Sequence, residues 1–338
     1  MLNQIRDILA TIHLGHSPIT LAQFAKTITI EGHSITIIFE LSPPQVITFE
    51  ALRPKLESLL RHEFPEYKIL CISTTHTSPL QASKAIDIDA KHIIAIASGK
   101  GGVGKSTVAV NLATAFANQG LKVGLLDADI YGPSIPKMMD INDEKPVLDT
   151  HKKMIPILRY NVYCMSIGFL LDESAPVIWR GPMVQKALIQ LLRDVAWREL
   201  DYLFIDLPPG TGDIQLSLSQ QIRLSGAIIV STPQDIALID ARKGINMFGK
   251  VSIPILGIIE NMSLFSCPHC GQQSDIFGHG GAEQEAHRLK VPFLGSLPLH
   301  LETRQGGDEG IPIVASDPTS SISQKFYQIS EGIQRQLR

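Results

Sequence analysis

Apolar and polar positions follow different periods in different parts of the chain, and the change of period marks its organisation. Near the start, Leu2, Ile5, Leu9 and Ile12 recur at helical spacing. Thr27 to Ile30 and Ile35 to Phe39 read as two strands joined across Glu31-Gly32-His33-Ser34, and Phe49, Leu52, Leu56, Leu59 and Leu60 mark a second helix. Pro43-Pro44 lies ahead of that helix as a turn would, and Tyr67 to Ser73 supplies a last strand. Residues 1–78 therefore read as a small α/β domain. The stretch 74–91 is polar and lacks a period, and we take 79–91 as a linker.

From residue 92 short apolar runs alternate with helical stripes. Strands are expected at 93–97, 121–126, 202–206, 227–231, 254–259 and 293–296, and helices at 105–119, 182–198, 235–248, 281–289 and 319–336. This alternation implies an α/β fold for 92–338, a mostly parallel sheet with helices on both faces and a ligand site at the carboxyl ends of its strands. In the last helix Ile322, Phe326, Ile329, Ile333 and Leu337 share one stripe. Its polar face offers only Lys325, Arg335 and Arg338 as cations, thin for an interfacial membrane anchor, so the stripe is expected to pack on the sheet.

The turn after the first of these strands carries the strongest chemistry. Gly99, Gly104, Lys105 and Ser106 fit G-x-x-x-x-G-K-[ST] without a mismatch, between a strand and a helix that stops at Gly120. In such a loop Gly99, Gly101, Gly102 and Gly104 let successive N–H groups turn inward, with Val103 between them and Thr107 following in the helix. The helix N-terminus favours phosphate, Lys105 can reach the β/γ-phosphates and Ser106 can ligate Mg²⁺, so the chain is expected to bind ATP in a P-loop NTPase fold. A chance glycine-rich turn would not sit between a strand and a helix.

Two further strand ends add carboxylates. Asp127 and Asp129 lie two residues apart in LLDADIYGPS and can face one side, holding metal-bound water and aligning the attacking water. A helix cap or Asx-turn is the alternative, since Gly132-Pro133 follows. The run YLFID ends at Asp206, expected to fix a Mg²⁺-bound water. The stiff turn Pro208 to Gly212 is suited to sensing the γ-phosphate.

Charge and composition narrow the partners. The net charge of −3 and the lack of any basic block argue against nucleic acid. No apolar run approaches a membrane span, and Arg6 and Asp7 interrupt what would be a secretory signal. Four cysteines are too few for a disulfide framework at this length, which points to a reducing, cytoplasmic setting. Cys71 and Cys164 lie in apolar strand-like runs and read as packing. Cys267 and Cys270 form a C-x-x-C turn able to hold one soft metal or cluster edge. One pair is short of a closed tetrahedral site, and His279, flanked by Gly278, Gly280 and Gly281, reads as a loop histidine rather than a third ligand. Two chains meeting at this turn would supply four thiolates, enough for a [4Fe–4S] cluster or zinc. A redox pair or a zinc-stabilised turn remains open on spacing alone.

Lys100 makes the loop read GKGGVGKS. This pattern resembles the deviant Walker A of the family holding nitrogenase iron protein, the septum-site and plasmid-partition ATPases and the arsenite-pump ATPase. There the extra lysine reaches the nucleotide of a second subunit, which implies a homodimer here. Taken in order, GKGGVGKST, DADIYGPS, WRGPM (Trp179 to Met183), DLPPGTGD, ENMS (Glu260 to Ser263) and CPHC resemble the Mrp/ApbC family of iron–sulfur cluster carriers over about 92–320. The resemblance implies an ATP hydrolase that holds a [4Fe–4S] cluster between two subunits through Cys267 and Cys270 and passes it to apo-proteins. Lys100, Lys105, Asp129 and Asp206 would be its catalytic residues. By the same resemblance Asn261 would contact adenine, where a plain turn asparagine is the alternative. The first domain resembles the MIP18-like domain of unknown function 59, although His16-Ser17-Pro18 stands where that family has Asp-Pro-Glu. A positioning ATPase and a zinc-bridged dimeric ATPase are the rival readings.

Overall fold

A computed structural model of the chain describes residues 1–14, 19–41, 43–75, 86–170 and 181–337. His16-Ser17-Pro18, residues 79–85 of the expected linker and Trp179 lie outside the described residues. The chain divides into two compact units, Met1–Ser83 and Lys84–Arg338.

In the first unit, α1 (Leu2–Ala10), β1 (Ala25–Glu31), β2 (Ser34–Leu41), α2 (Pro43–Glu63) and β3 (Lys68–Thr75) follow in order. Strand β2 is central, antiparallel to β1 and parallel to β3. Its alternation buries Ile35, Ile37, Phe39 and Leu41 against Ile5, Leu9, Phe49, Leu56 and Leu60. The expected turn at Pro43-Pro44 is instead the first turn of α2. Proline fits there because its missing N–H would have had no partner anyway. Cys71 is buried in this core, and burial pushes its thiol up to about 12.

The second unit is built on a sheet in the order β11-β10-β9-β4-β8-β5-β7-β6, with β12 beside β10. Its elements run β4 (Ala90–Ala97), α3 (Lys105–Asn118), β5 (Val123–Asp127), α4 (Ile135–Met138), β6 (Ile157–Arg159), β7 (Val162–Ser166) and α5 (Gly181–Asp194). There follow β8 (Leu200–Asp206), α6 (Asp213–Gln221), β9 (Gly226–Ser231), α7 (Asp235–Lys250), β10 (Ile255–Ser266), β11 (Gln273–Ser274) and α8 (Gly281–Leu289). β12 (Phe293–Leu299), α9 (Leu301–Glu309), α10 (Ile313–Ser316) and α11 (Ser321–Gln336) close the chain.

The central pairs are parallel, and among the described residues of this sheet only β6 with β7 and β10 with β11 run antiparallel. The apolar runs split between two layers: Ile93, Ala95 and Ala97 join Leu203 and Ile205 under α5, α7 and α8. Ile94 and Ile96 join Phe204 under α3 and α11. Burial on both faces is why these strands read as unbroken apolar runs. The stripe of α11 is spent inside the molecule, with Ile322, Phe326, Ile329 and Ile333 buried in that second layer. Two boundaries differ from expectation by the most residues. Helix α5 stops at Asp194, because Val195 turns to bridge Met154. Strand β10 runs on to Ser266, since beyond Glu260 it pairs only with β12 and β11 and no longer needs an apolar pattern.

Candidate functional site

The glycine loop spans Ser98 to Gly104 between β4 and α3. Gly102 and Gly104 both have φ near +80°, a backbone region that side-chain-bearing residues rarely adopt. Gly99 is required for another reason: a Cβ there would lie 2.2 Å from the backbone carbon of Asp240 on α7. Among the described residues nothing lies within 4 Å of an added Cβ at Gly102, and at Gly101 only Pro209 does. Val103 is buried and anchors the loop, while Ser106 and Thr107 occupy the first turn of α3.

Lys105 and Ser106 converge on Asp206 at the end of β8. Lys105 Nζ donates to Asp206 Oδ1 at 2.6 Å and Ser106 Oγ to Asp206 Oδ2 at 2.6 Å. Asp129 Oδ2 stands 4.0 Å from the same ammonium. The set fits a Mg–nucleotide: a hydroxyl and a carboxylate oxygen for a hard cation, a lysine and a helix N-terminus for phosphate.

The two carboxylates of DADIYGPS do different work. Asp127 is fully buried; its Oδ1 accepts from the N–H of Asp129, and its Oδ2 from the N–H of Ile135 and the hydroxyl of Ser166. This is the geometry of the Asx-turn and cap alternative, with one donor on Oδ1 and two on Oδ2. Burial and the neighbouring Asp206, its register partner across β5 and β8, push its carboxyl up to about 7 against those N–H donors. Asp129 is the member that faces Lys105. Burial raises its pKa while the ammonium pulls the other way.

The turn after Asp206 is tied to the loop. Leu207 N donates to Ile96 O at 3.0 Å and Gly210 N to Ser98 O at 2.9 Å. Gln215, buried on α6, donates its amide to Pro208 O, a contact that sequence reading missed. Lys100 is half-buried and its side chain pairs with no carboxylate among the described residues. Asn261 is buried, and its amide donates to Val103 O at 2.8 Å. That hydrogen bond ties β10 to the phosphate loop. Glu260, also missed, is fully buried and accepts from Gly280 N at 3.0 Å and Ala282 N at 2.8 Å, capping α8. A carboxylate just past an apolar strand run was the available signal.

Cys267 and Cys270 occupy the hairpin between β10 and β11. Gly271 N donates to Cys267 O at 2.9 Å and Cys267 N to Gln272 O at 2.9 Å, with Gly271 at φ +71°. Cys270 is exposed and Cys267 partly so. N–H groups of Cys270 and His269 donate toward the Cys267 sulfur, with the Cys270 side chain adding to them, and lower its pKa. Among the described residues no third His, Cys, Asp or Glu joins the pair. His279 lies instead 4.0 Å from Glu260 Oε1.

Comparison with known proteins shows what the chain as a whole is similar to. Residues 89–334 match the ParA family in the form described as the NUBPL iron-transfer P-loop NTPase. The chain is 49% identical over 305 residues to the iron–sulfur cluster transfer protein NUBPL of Dictyostelium discoideum, over 90% of this chain and 93% of that one. It is 51% identical over 271 residues to the iron–sulfur cluster carrier protein of Haemophilus influenzae, over 80% of this chain and 72% of that one. A nucleotide-binding protein from Archaeoglobus fulgidus in complex with ADP superposes with a TM-score of 0.61 at 38% identity, over 70% of this chain and 93% of that chain.

Proposed function

Since the chain belongs to the ParA family of NUBPL-type iron-transfer P-loop NTPases, we propose that it is an ATP-hydrolysing iron–sulfur cluster carrier. In this reading two copies hold a [4Fe–4S] cluster as cargo between their Cys267 and Cys270 pairs and deliver it to apo-proteins. One observation carries it: a complete phosphate and cation set at Lys105, Ser106 and Asp206 shares a chain with exactly half of a four-thiolate cage. Phosphoryl transfer asks for positioning and charge neutralisation rather than a covalent nucleophile. Ser106 Oγ and Asp206 would hold Mg²⁺, directly and through water. Lys105 would leave Asp206 for the phosphates, Asp129 would orient the attacking water, and Lys100 would reach the partner's nucleotide.

Exposed apolar side chains at strand carboxyl ends support a face that pairs with a second copy: Tyr131 is 67% exposed, Ile236 69% and Ile276 57%. No described helix is long and apolar enough to cross a membrane. We place the work in the cytoplasm, where accessible thiols stay reduced.

The test is anaerobic reconstitution of the full chain with ferrous iron and sulfide. Thiolate-to-iron absorption, four irons per dimer and passage to an apo-ferredoxin are expected. Retention of zinc in place of iron would move the chain to the structural-zinc reading. A monomer that still transferred cluster would overturn the shared cage.

A further inference from the structure

Strand β10 touches both halves of the site within a few residues. Asn261 holds the phosphate loop through Val103 O at 2.8 Å, and Cys267 follows the last residue of the same strand. The loop and Asn261 are fitted closely: a Cβ on Gly104 would lie 2.2 Å from Asn261 Nδ2 and 3.6 Å from Met262 Cε.

Between Asn261 and the cysteines the strand is not regular. Asn261 pairs with Leu297 and Phe265 with Leu299, so four steps along β10 oppose two along β12. Met262 sits in this bulge at φ +58°, a left-handed conformation that a side chain like methionine rarely adopts. Buried neighbours fix both ends: Glu260 accepts from Gly280 and Ala282, and Ser263 Oγ donates to Leu297 O at 3.1 Å. A strained residue between a loop contact and a metal-type turn persists because its surroundings impose it, and such residues collect at functional sites.

We propose that the Asn261–Met262 bulge is a positioning element that makes the seating of the Cys267–Cys270 turn depend on what occupies the phosphate loop. Phosphate drawing in the loop N–H groups moves the Val103 carbonyl that Asn261 grips. The bulge converts that movement into a change at the hairpin rather than absorbing it as a regular strand would. Asn261 and Met262 act through the loop and the turn and touch no reacting atom. The proposal rests on the nucleotide-site half of the function proposed above, and it holds whether the thiolates carry iron or zinc.

The experiment uses the full, metal-free chain in a Lys100→Ala background, so that subunit pairing does not cover the thiols. Alkylation of Cys267 and Cys270 is followed by peptide mass with and without Mg–ATPγS. ATPγS is expected to slow alkylation about fivefold, the lower end of usual coupling strengths. Met262→Gly, which removes the strain and lets the backbone relax freely, is expected to bring the two rates together while nucleotide affinity holds. An unchanged ratio in Met262→Gly, or no nucleotide effect before substitution, overturns the proposal. Amide exchange of residues 262–272 without the glycine substitution provides a second readout: nucleotide should slow it, and equal exchange with and without nucleotide also overturns the proposal. Failure of cluster reconstitution alone would strike the carrier reading and leave this coupling standing.

Discussion

Lys105 Nζ rests 2.6 Å from Asp206 Oδ1, with the lysine side chain 6% exposed and the aspartate not exposed at all. On the proposed reading, the ammonium that would serve phosphate is held in place by the carboxylate that would serve the cation.

That pair makes the first prediction. Removing Asp206 leaves the buried ammonium with only the more distant Asp129, 4.0 Å away, so Asp206→Ala should destabilise the fold by about 3 kcal/mol. Lys105→Ala combined with Asp206→Ala should cost less than the sum of the single changes, because the stranded charge is gone. Urea unfolding of the single and double variants checks this, and ATP hydrolysis should be lost in all three.

Gly99 faces α7 with no room for a methyl group, since its Cβ would fall 2.2 Å from the Asp240 backbone. Backbone cannot yield as a side chain can, so Gly99→Ala should push the loop off the helix. A loss of about 1–3 kcal/mol is expected from the overpacking, together with weaker ATP binding. Gly102→Ala, where a Cβ meets no described residue within 4 Å but φ is +80°, should cost about 1–2 kcal/mol. Thermal unfolding and titration with a fluorescent nucleotide separate the two.

Cys267 has its pKa lowered by the N–H groups of Cys270 and His269, whereas burial holds Cys71 up at about 12 and also raises Cys164. A lowered pKa favours the thiolate, so alkylation of Cys267 should rise at lower pH than that of an ordinary thiol as pH is raised. Cys71 and Cys164 should stay unmodified in the folded chain through that window. A pH series of iodoacetamide labelling read by peptide mass decides it; labelling of all four cysteines together would contradict it.

Lys100 pairs with no carboxylate among the described residues, although Ser98 Oγ donates to its backbone carbonyl at 2.9 Å and holds the loop in shape. Lys100→Ala should therefore leave stability and single-chain ATP binding nearly unchanged. It should abolish ATP-dependent dimerisation, seen by light scattering. A dimer that persists in this variant would remove the cross-subunit role.

Much of this was legible in the residues themselves because the governing physics is local. Unbroken apolar runs located β4, β8 and β9, and helical periods located α7 and α8, within a few positions, while the glycines of the loop declared themselves by the turn they must make. The order of signatures likewise carried the family resemblance. What the tertiary structure alone decided depends on residues far apart in the chain. Lys105 meets Asp206 across 101 positions and Asn261 meets Val103 across 158, and no period connects such pairs. Asp127 and Asp129 looked alike until the fold handed one of them three donors and turned the other toward the lysine. Strand β10 looked finished at its apolar end, because its continuation toward the cysteines is held by neighbouring strands rather than by its own hydrophobicity. Local pattern names the parts, and the burial and pairing of distant groups settle what each part does.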